Sequence, residues 1–217
     1  MTLNLTADEV LTTTRSVRKR LDFDRPVNRS TVLECIDIAL QAPTGSNSQG
    51  WQWVVIEDEA KKKAIADLYA KNFNAYTAQP GREYPEGDTR AERQPLVRSS
   101  ANYLSENFHR APYLVIPLIE GRLDEGVGTM GQASAWGSIL PAVWSFMMAL
   151  RARGLGSAWT TLHLPDEKAA ADILGIPFDR FTQAGLFPVA YTLGTDFKLA
   201  KRLPAVELTH WDTFGEH

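Results

Sequence analysis

Four cations stand within six residues of TTTRSVRKRLDF (12–23): Arg15, Arg18, Lys19 and Arg20, with Ser16 among them. Arg15 and Arg18 lie three apart and flank Ser16, a set suited to a phosphate monoester carrying about −1.5 to −2 charge. Guanidinium groups bind such oxygens bidentately, and a serine hydroxyl adds a short hydrogen bond. The plainer reading is a solvated basic face or a weak nucleic-acid patch. A second stretch, QAPTGSNSQGWQW (41–53), crowds five hydroxyl or amide side chains around Pro43 and Gly45. Such groups both donate and accept, as recognition of a planar heterocycle with imide edges requires, although a polar turn needs the same residues. In a third, RARGLGSAWTTLHL (151–164), a helix-ending glycine is followed by Gly156, Ser157, Thr160 and Thr161. Its plainer reading is a helix stop leading into a buried extended segment.

Other chemistry-bearing patterns are weaker. GVGTMG (126–131) matches G-x-G-x-x-G, but GRLDE separates it from the preceding strand signal, and no acid follows before Asp166. The dinucleotide fingerprint needs both, so this segment reads as a lead-in to a helix. His109, His163, His210 and His217 show no metal spacing; His163 reads as structural. Cys35, the only cysteine, falls beside Ile36 on an apolar helix face and reads as a packed thiol. It permits no intrachain disulfide, which agrees with a reducing compartment.

The elements that must position these residues are legible from caps and periods. Thr6 with Glu9 forms a capping box for a helix ending near Thr14. Val32, Leu33, Ile36, Ala39 and Leu40 share one face of a helix opened by Asn28 or Ser30 and closed by Pro43. WQWVVIE (51–57), YLVIPLIE (113–120) and GLFPVAYTLG (185–194) read as strands, with Pro117 implying an edge or a bulge. Asp58 caps a helix carrying Ile65, Leu68 and Tyr69 inward, and DEKAAADILGI (166–176) holds a short helix. Residues 131–153 are apolar on nearly every face, predicting a buried central helix kinked at Pro141 and stopped by Gly154. Trp136, Trp144, Met147 and Met148 fit core or subunit interface there. Residues 79–98 read as a mobile surface loop with four acids and four arginines, and the C-terminal tail shows little regularity. The irregular alternation favours an α+β fold over a doubly wound sheet.

At 217 residues the chain suits a single domain. A net charge of −3 disfavours global attraction to nucleic acid or anionic lipid. No signal-peptide pattern opens the chain, and no apolar run is expected to approach the roughly 20 residues that span a bilayer. A cytoplasmic protein is the expectation.

Taken in order, and joined by KRLP (201–204), the three stretches resemble the FMN-dependent nitroreductase family. That pattern sets R-S-x-R near the N-terminus, A-P-[ST]-x-x-N-x-Q-x-W after a helix, G-L-G after a long central helix, and a basic residue before L-P. The resemblance covers essentially the whole chain. It implies a mixed, mainly antiparallel central sheet flanked by helices, in an intertwined homodimer with two flavins at the subunit interface. Arg15, Ser16 and Arg18 would grip the FMN phosphate and ribityl chain, approached also by Arg202. Pro43, Thr44, Ser46, Asn47 and Gln49 would lie along the flavin ring and ribityl chain. Leu155, Gly156, Thr160 and Thr161 would lie near the pyrimidine end, leaving Lys19 and Arg20 as surface charges. NAD(P)H would deliver hydride to the flavin, and an electron-poor acceptor such as a nitroaromatic or quinone would collect it in a ping-pong cycle. No side-chain nucleophile is needed, so no catalytic residue and no metal ligand is assigned. One domain spans 1–217, with 72–110 as a helical or loop lid over the substrate site. Two other readings share the resemblance: reductive dehalogenation of an aromatic amino acid, with Arg82, Arg90, Arg93 or Arg98 gripping a zwitterion, and a flavin carrier or sensor without turnover.

Overall fold

The computed structural model describes residues 2–86, 88–124 and 126–216. The helices are α1 (Ala7–Thr13), α2 (Arg29–Ala39), α3 (Glu59–Thr77), α4 (Thr89–Asn107), α5 (Thr129–Ala152) and α6 (Glu167–Leu174). The strands are β1 (Leu21–Asp22), β2 (Trp51–Ile56), β3 (Tyr113–Glu120), β4 (Leu155–Gly156), β5 (Phe181–Gln183) and β6 (Phe187–Thr192). Local chemistry sets the helix starts. The Thr6 hydroxyl accepts from the Glu9 N–H at 3.2 Å while the Glu9 carboxylate accepts from the Thr6 N–H at 2.7 Å, and the Asp58 carboxylate accepts from the Lys61 N–H at 2.8 Å.

The strands form one six-stranded sheet of antiparallel ladders, ordered β1-β6-β3-β2, with β4 on β6 and β5 on β3. A lone parallel bridge, Ser16 to Ser157, supplies the mixed component. Side chains alternate across β3. Tyr113, Val115 and Ile119 pack with α2 and α5 on one face; Leu114, Ile116 and Leu118 pack with α3 and α6 on the other. The α+β, helix-flanked sheet expected from the sequence is the fold.

One expectation is narrowed and two need correction. Pro117 lies at a bulge and not on an edge: β3 pairs with β2 along one side and with β5 and β6 along the other, where residues 184–186 face 116–117. Its carbonyl accepts from the Ala184 N–H at 2.9 Å, so its missing N–H faces the bend between β5 and β6, where no ladder bond is required. Residues 79–98 are not all loop: α4 begins at Thr89, with the Asp88 carboxylate accepting from the Arg90 N–H, and continues through Pro95. Finally, α5 is by length and composition apolar enough to cross a membrane, contrary to the expectation that no segment is. No charged residue separates Glu125 from Arg151, and Ile139, Val143, Phe146 and Leu150 of α5 are buried in the core. The helix is continuous through Pro141 and ends before Gly154, whose φ is +73°.

Candidate functional site

Beyond α1 the chain turns extended and lies against the segment that follows α5. Ser16 bridges to Ser157, and the Val17 N–H donates to the Ser157 carbonyl at 2.8 Å. Gly156 makes this approach possible. A Cβ there would lie 2.7 Å from Thr192 Cγ2 and 3.0 Å from Val17 Cβ. Alternation buries Val17 and turns Ser16 outward, with Arg15 and Arg18 half-buried. Arg15 donates to the Thr14 carbonyl at 2.9 Å and to the Lys198 carbonyl. Burial, and then the nearby Arg202 guanidinium, hold the Arg15 pKa below its ordinary value. Arg18 neighbours Tyr69, whose hydroxyl burial pushes up to about 12 against the opposing pull of that arginine. Arg202 donates to the Lys201 carbonyl at 2.9 Å. Among the described residues no carboxylate oxygen lies within 4.0 Å of Arg15, Arg18 or Arg202.

The other two cations of the cluster behave differently. Lys19 donates to Ser99 Oγ at 2.8 Å and, with Gln94, Arg98, Asn102, Tyr103 and Glu106, lines a cleft of about 810 Å³ along α4. Arg20 is more than a surface charge. It pairs with Asp196 at 2.6 Å, donates to the Leu193 carbonyl at 2.8 Å and lies 4.3 Å over the Phe197 ring.

The loop before β2 is strained. Ser46, Asn47 and Gln49 have φ of 52°, 53° and 49°, a region that costs non-glycine residues energy and that clusters at functional sites. The Gly45 N–H donates to Ser138 Oγ at 2.9 Å, the Gln49 N–H to Thr44 Oγ1 at 3.1 Å, and Gln49 Nε2 to Asn47 Oδ1 at 2.9 Å. Pro43, Ser46, Asn47 and Gln49 remain exposed and Thr44 half-buried.

Beyond β4, Thr160 donates its hydroxyl to the Leu186 carbonyl at 2.6 Å and is buried, whereas Thr161 is exposed. The Leu155 side chain is 1% exposed, so only its backbone can face a ligand. The chain thus brings Arg15, Ser16 and Arg202 toward Leu155 and Gly156, while Arg18 lies near Tyr69. It leaves the 43–49 loop beside β2, at the opposite edge of the sheet, roughly 19 Å away at 4.8 Å per strand spacing.

The remaining candidates settle into the scaffold. His163 is fully buried, its Nε2 3.1 Å from Gln183 Oε1, and burial lowers its pKa to about 4. His109 is half-buried in the turn after α4, and the His210 ring lies 4.3 Å from that of Phe214, tilted by 49°. His217 lies outside the described residues. Cys35 is fully buried and its thiol is pushed up to about 11. Gly128 caps α5, so the G-x-G-x-x-G segment is a helix lead-in. Among the described residues no group of three or more His, Cys, Asp or Glu could hold a metal. Arg151, near the end of α5, escaped the sequence reading because a terminal arginine is common; its signal was a lone charge closing a long uncharged stretch.

The sequence pattern of the nitroreductase family matches residues 11–191. A 5,6-dimethylbenzimidazole synthase from Rhodospirillum rubrum is 30% identical over 151 residues, covering 67% of this chain and 65% of that protein. An iodotyrosine deiodinase from Drosophila melanogaster is 26% identical over 185 residues, covering 84% and 61%. The chain therefore spans less than two thirds of the length of either relative. The FMN-dependent nitroreductase NfnB from Mycobacterium smegmatis, solved in complex with NADPH, superimposes with a TM-score of 0.67 at 19% identity, over 95% of this chain and 98% of that one.

Proposed function

Because the chain belongs to the nitroreductase family, we propose that it is an FMN-dependent oxidoreductase that passes hydride from NAD(P)H to an electron-poor acceptor such as a nitroaromatic or quinone. The observation that carries this reading is the half-buried Arg15 guanidinium lying beside that of Arg202, with no carboxylate within 4.0 Å of Arg15, Arg18 or Arg202 among the described residues. Like charges brought together without a counter-charge fit a phosphate dianion. When bound, FMN supplies the two-electron chemistry, taking hydride from NAD(P)H and yielding it to the acceptor. Arg15, Arg18 and Arg202 hold the phosphate, and Ser16 adds a hydroxyl donor. Leu155 and Gly156 offer backbone, which the absent Cβ of Gly156 lets approach closely. Thr161 offers an exposed hydroxyl, while that of Thr160 is committed to Leu186 and can only accept. Pro43, Thr44, Ser46, Asn47 and Gln49 reach the ring from a second copy of the chain, and α4 lies over the acceptor as a lid.

A homodimer follows from the same reading. Its support is an apolar surface that a single chain leaves in water: Met130 and Trp144 on α5, and Leu199, Val206, Trp211 and Phe214 in the tail.

A second reading, reductive dehalogenation of an aromatic amino acid, draws support from the α4 cleft, where Lys19 and Arg98 face Glu106 and could meet both ends of a zwitterion. The test is the visible spectrum of purified protein, then anaerobic mixing with NADH and with NADPH. Bleaching that a quinone or nitroaromatic reverses, with parallel double-reciprocal lines, is the expected result. Recovery only with a halogenated tyrosine would favour the second reading. Bleaching by dithionite but by neither nicotinamide would point to a carrier.

A further inference from the structure

Arg151 is 5% exposed and carries a charge that a protein interior does not remove. Its Nε and Nη2 meet Thr13 Oγ1 at 3.2 and 3.1 Å, and Nη2 also donates to the Thr195 carbonyl at 3.0 Å. Nη1 is buried with no hydrogen-bond partner among the described residues. The guanidinium lies 5.0 Å from the Phe197 ring centre, the ring that Arg20 also covers. Burial, then Arg20 and Arg15, push the Arg151 pKa down, and Glu9 opposes them more weakly. The dipole at the end of α5 offsets part of the cost of burying this cation, and no carboxylate within 4.0 Å among the described residues offsets the rest. The two segments it ties, at Thr13 and Thr195, are those that hold Arg15, through Thr14 and Lys198.

We propose that Arg151 is a buried positioning charge for a phosphate-type dianion held by Arg15 and Arg202, and that the bound anion is what compensates it. This rests on the FMN reading of that site for the anion's identity. Arg151 does not touch the phosphate. It fixes the two backbone segments that aim Arg15 and adds its field to the cradle. In a partly screened protein environment, one cation facing a dianion without contact changes affinity by about tenfold.

The experiment uses the full chain, as wild type, Arg151→Gln and Arg151→Lys, titrated with FMN and with riboflavin. Glutamine can still hydrogen-bond near Thr13 and Thr195, and lysine keeps the charge. We expect Arg151→Gln to lose about tenfold in FMN affinity with little change for riboflavin, and Arg151→Lys to recover most of the loss. Equal losses for both flavins, or unchanged FMN affinity, would overturn the proposal and leave the FMN reading standing. A second measurement needs no variant: the Tm of the flavin-free wild type in inorganic phosphate against chloride at matched ionic strength. A rise with phosphate supports the anion cradle even if FMN fails to bind, in which case the FMN reading alone falls. No rise with phosphate or with FMN overturns both.

Discussion

Arg15 and Lys19 are four positions apart and make opposite demands on their surroundings. Arg15 is half-buried beside another guanidinium, whereas Lys19 is exposed, donates to Ser99 and lines the α4 cleft. Arg15→Ala should therefore weaken FMN binding by about 1.5–3 kcal/mol, the range for a hydrogen bond to a charged group, and Lys19→Ala by much less. Flavin fluorescence quenching measures both, and equal losses would mean a diffuse basic patch. His163 gives a second prediction at this scale. Its folded pKa of about 4 lies below the unfolded value near 6.5. Between those values the unfolded chain binds more protons, so stability is full above about pH 6.5 and falls by roughly 3 kcal/mol as the pH drops to 4. Urea titrations across that window should show His163→Leu with a shallower decline than wild type; matching slopes would refute the assignment. The proposed phosphate set could be named from the sequence because Arg15, Ser16 and Arg18 stand close together and are chemically unambiguous, whereas Arg202 enters only through the KRLP motif. The commitment of the Thr160 hydroxyl to Leu186 was not, since the partner lies 26 residues on.

At the scale of elements, Gly156 is where a strand, a helix end and the Arg15–Arg18 segment meet. Gly156→Ala forces a methyl against Thr192 and Val17, which should cost about 1–3 kcal/mol in a urea melt and lower FMN affinity in parallel. Wild-type stability would show that the segment can shift freely. The capped and periodic helices could be read directly, because their signals lie within a turn or two of chain. β1, β4 and β5 could not: strands of two or three residues have no period. The central position of β3 was equally hidden, because strand order is set by partners far away in sequence. α4 was obscured by Pro, Gly and mixed charge that resemble a loop.

For the whole molecule, the proposed homodimer rests on the apolar surface of α5 and the tail, where Met130 is 86% exposed and Phe214 89%. Sedimentation should give a dimer, and Trp211→Ser with Phe214→Ser should shift it toward monomer with loss of bound flavin. A wild-type monomer that holds FMN would contradict the shared-site reading. The chain holds six tryptophans, and only the fold shows that Trp144 and Trp211 stay outside.

The separation of the Arg15 segment from the 43–49 loop, at opposite edges of one sheet, has a genetic corollary. If each flavin site draws one motif from each protomer, an Arg15→Ala chain and an Asn47→Ala chain are defective in different halves of the same site. Co-expressed, they form mixed dimers in which one site collects both lesions and the other collects neither. Two inactive alleles would then complement each other, restoring colour and turnover that neither homodimer possesses.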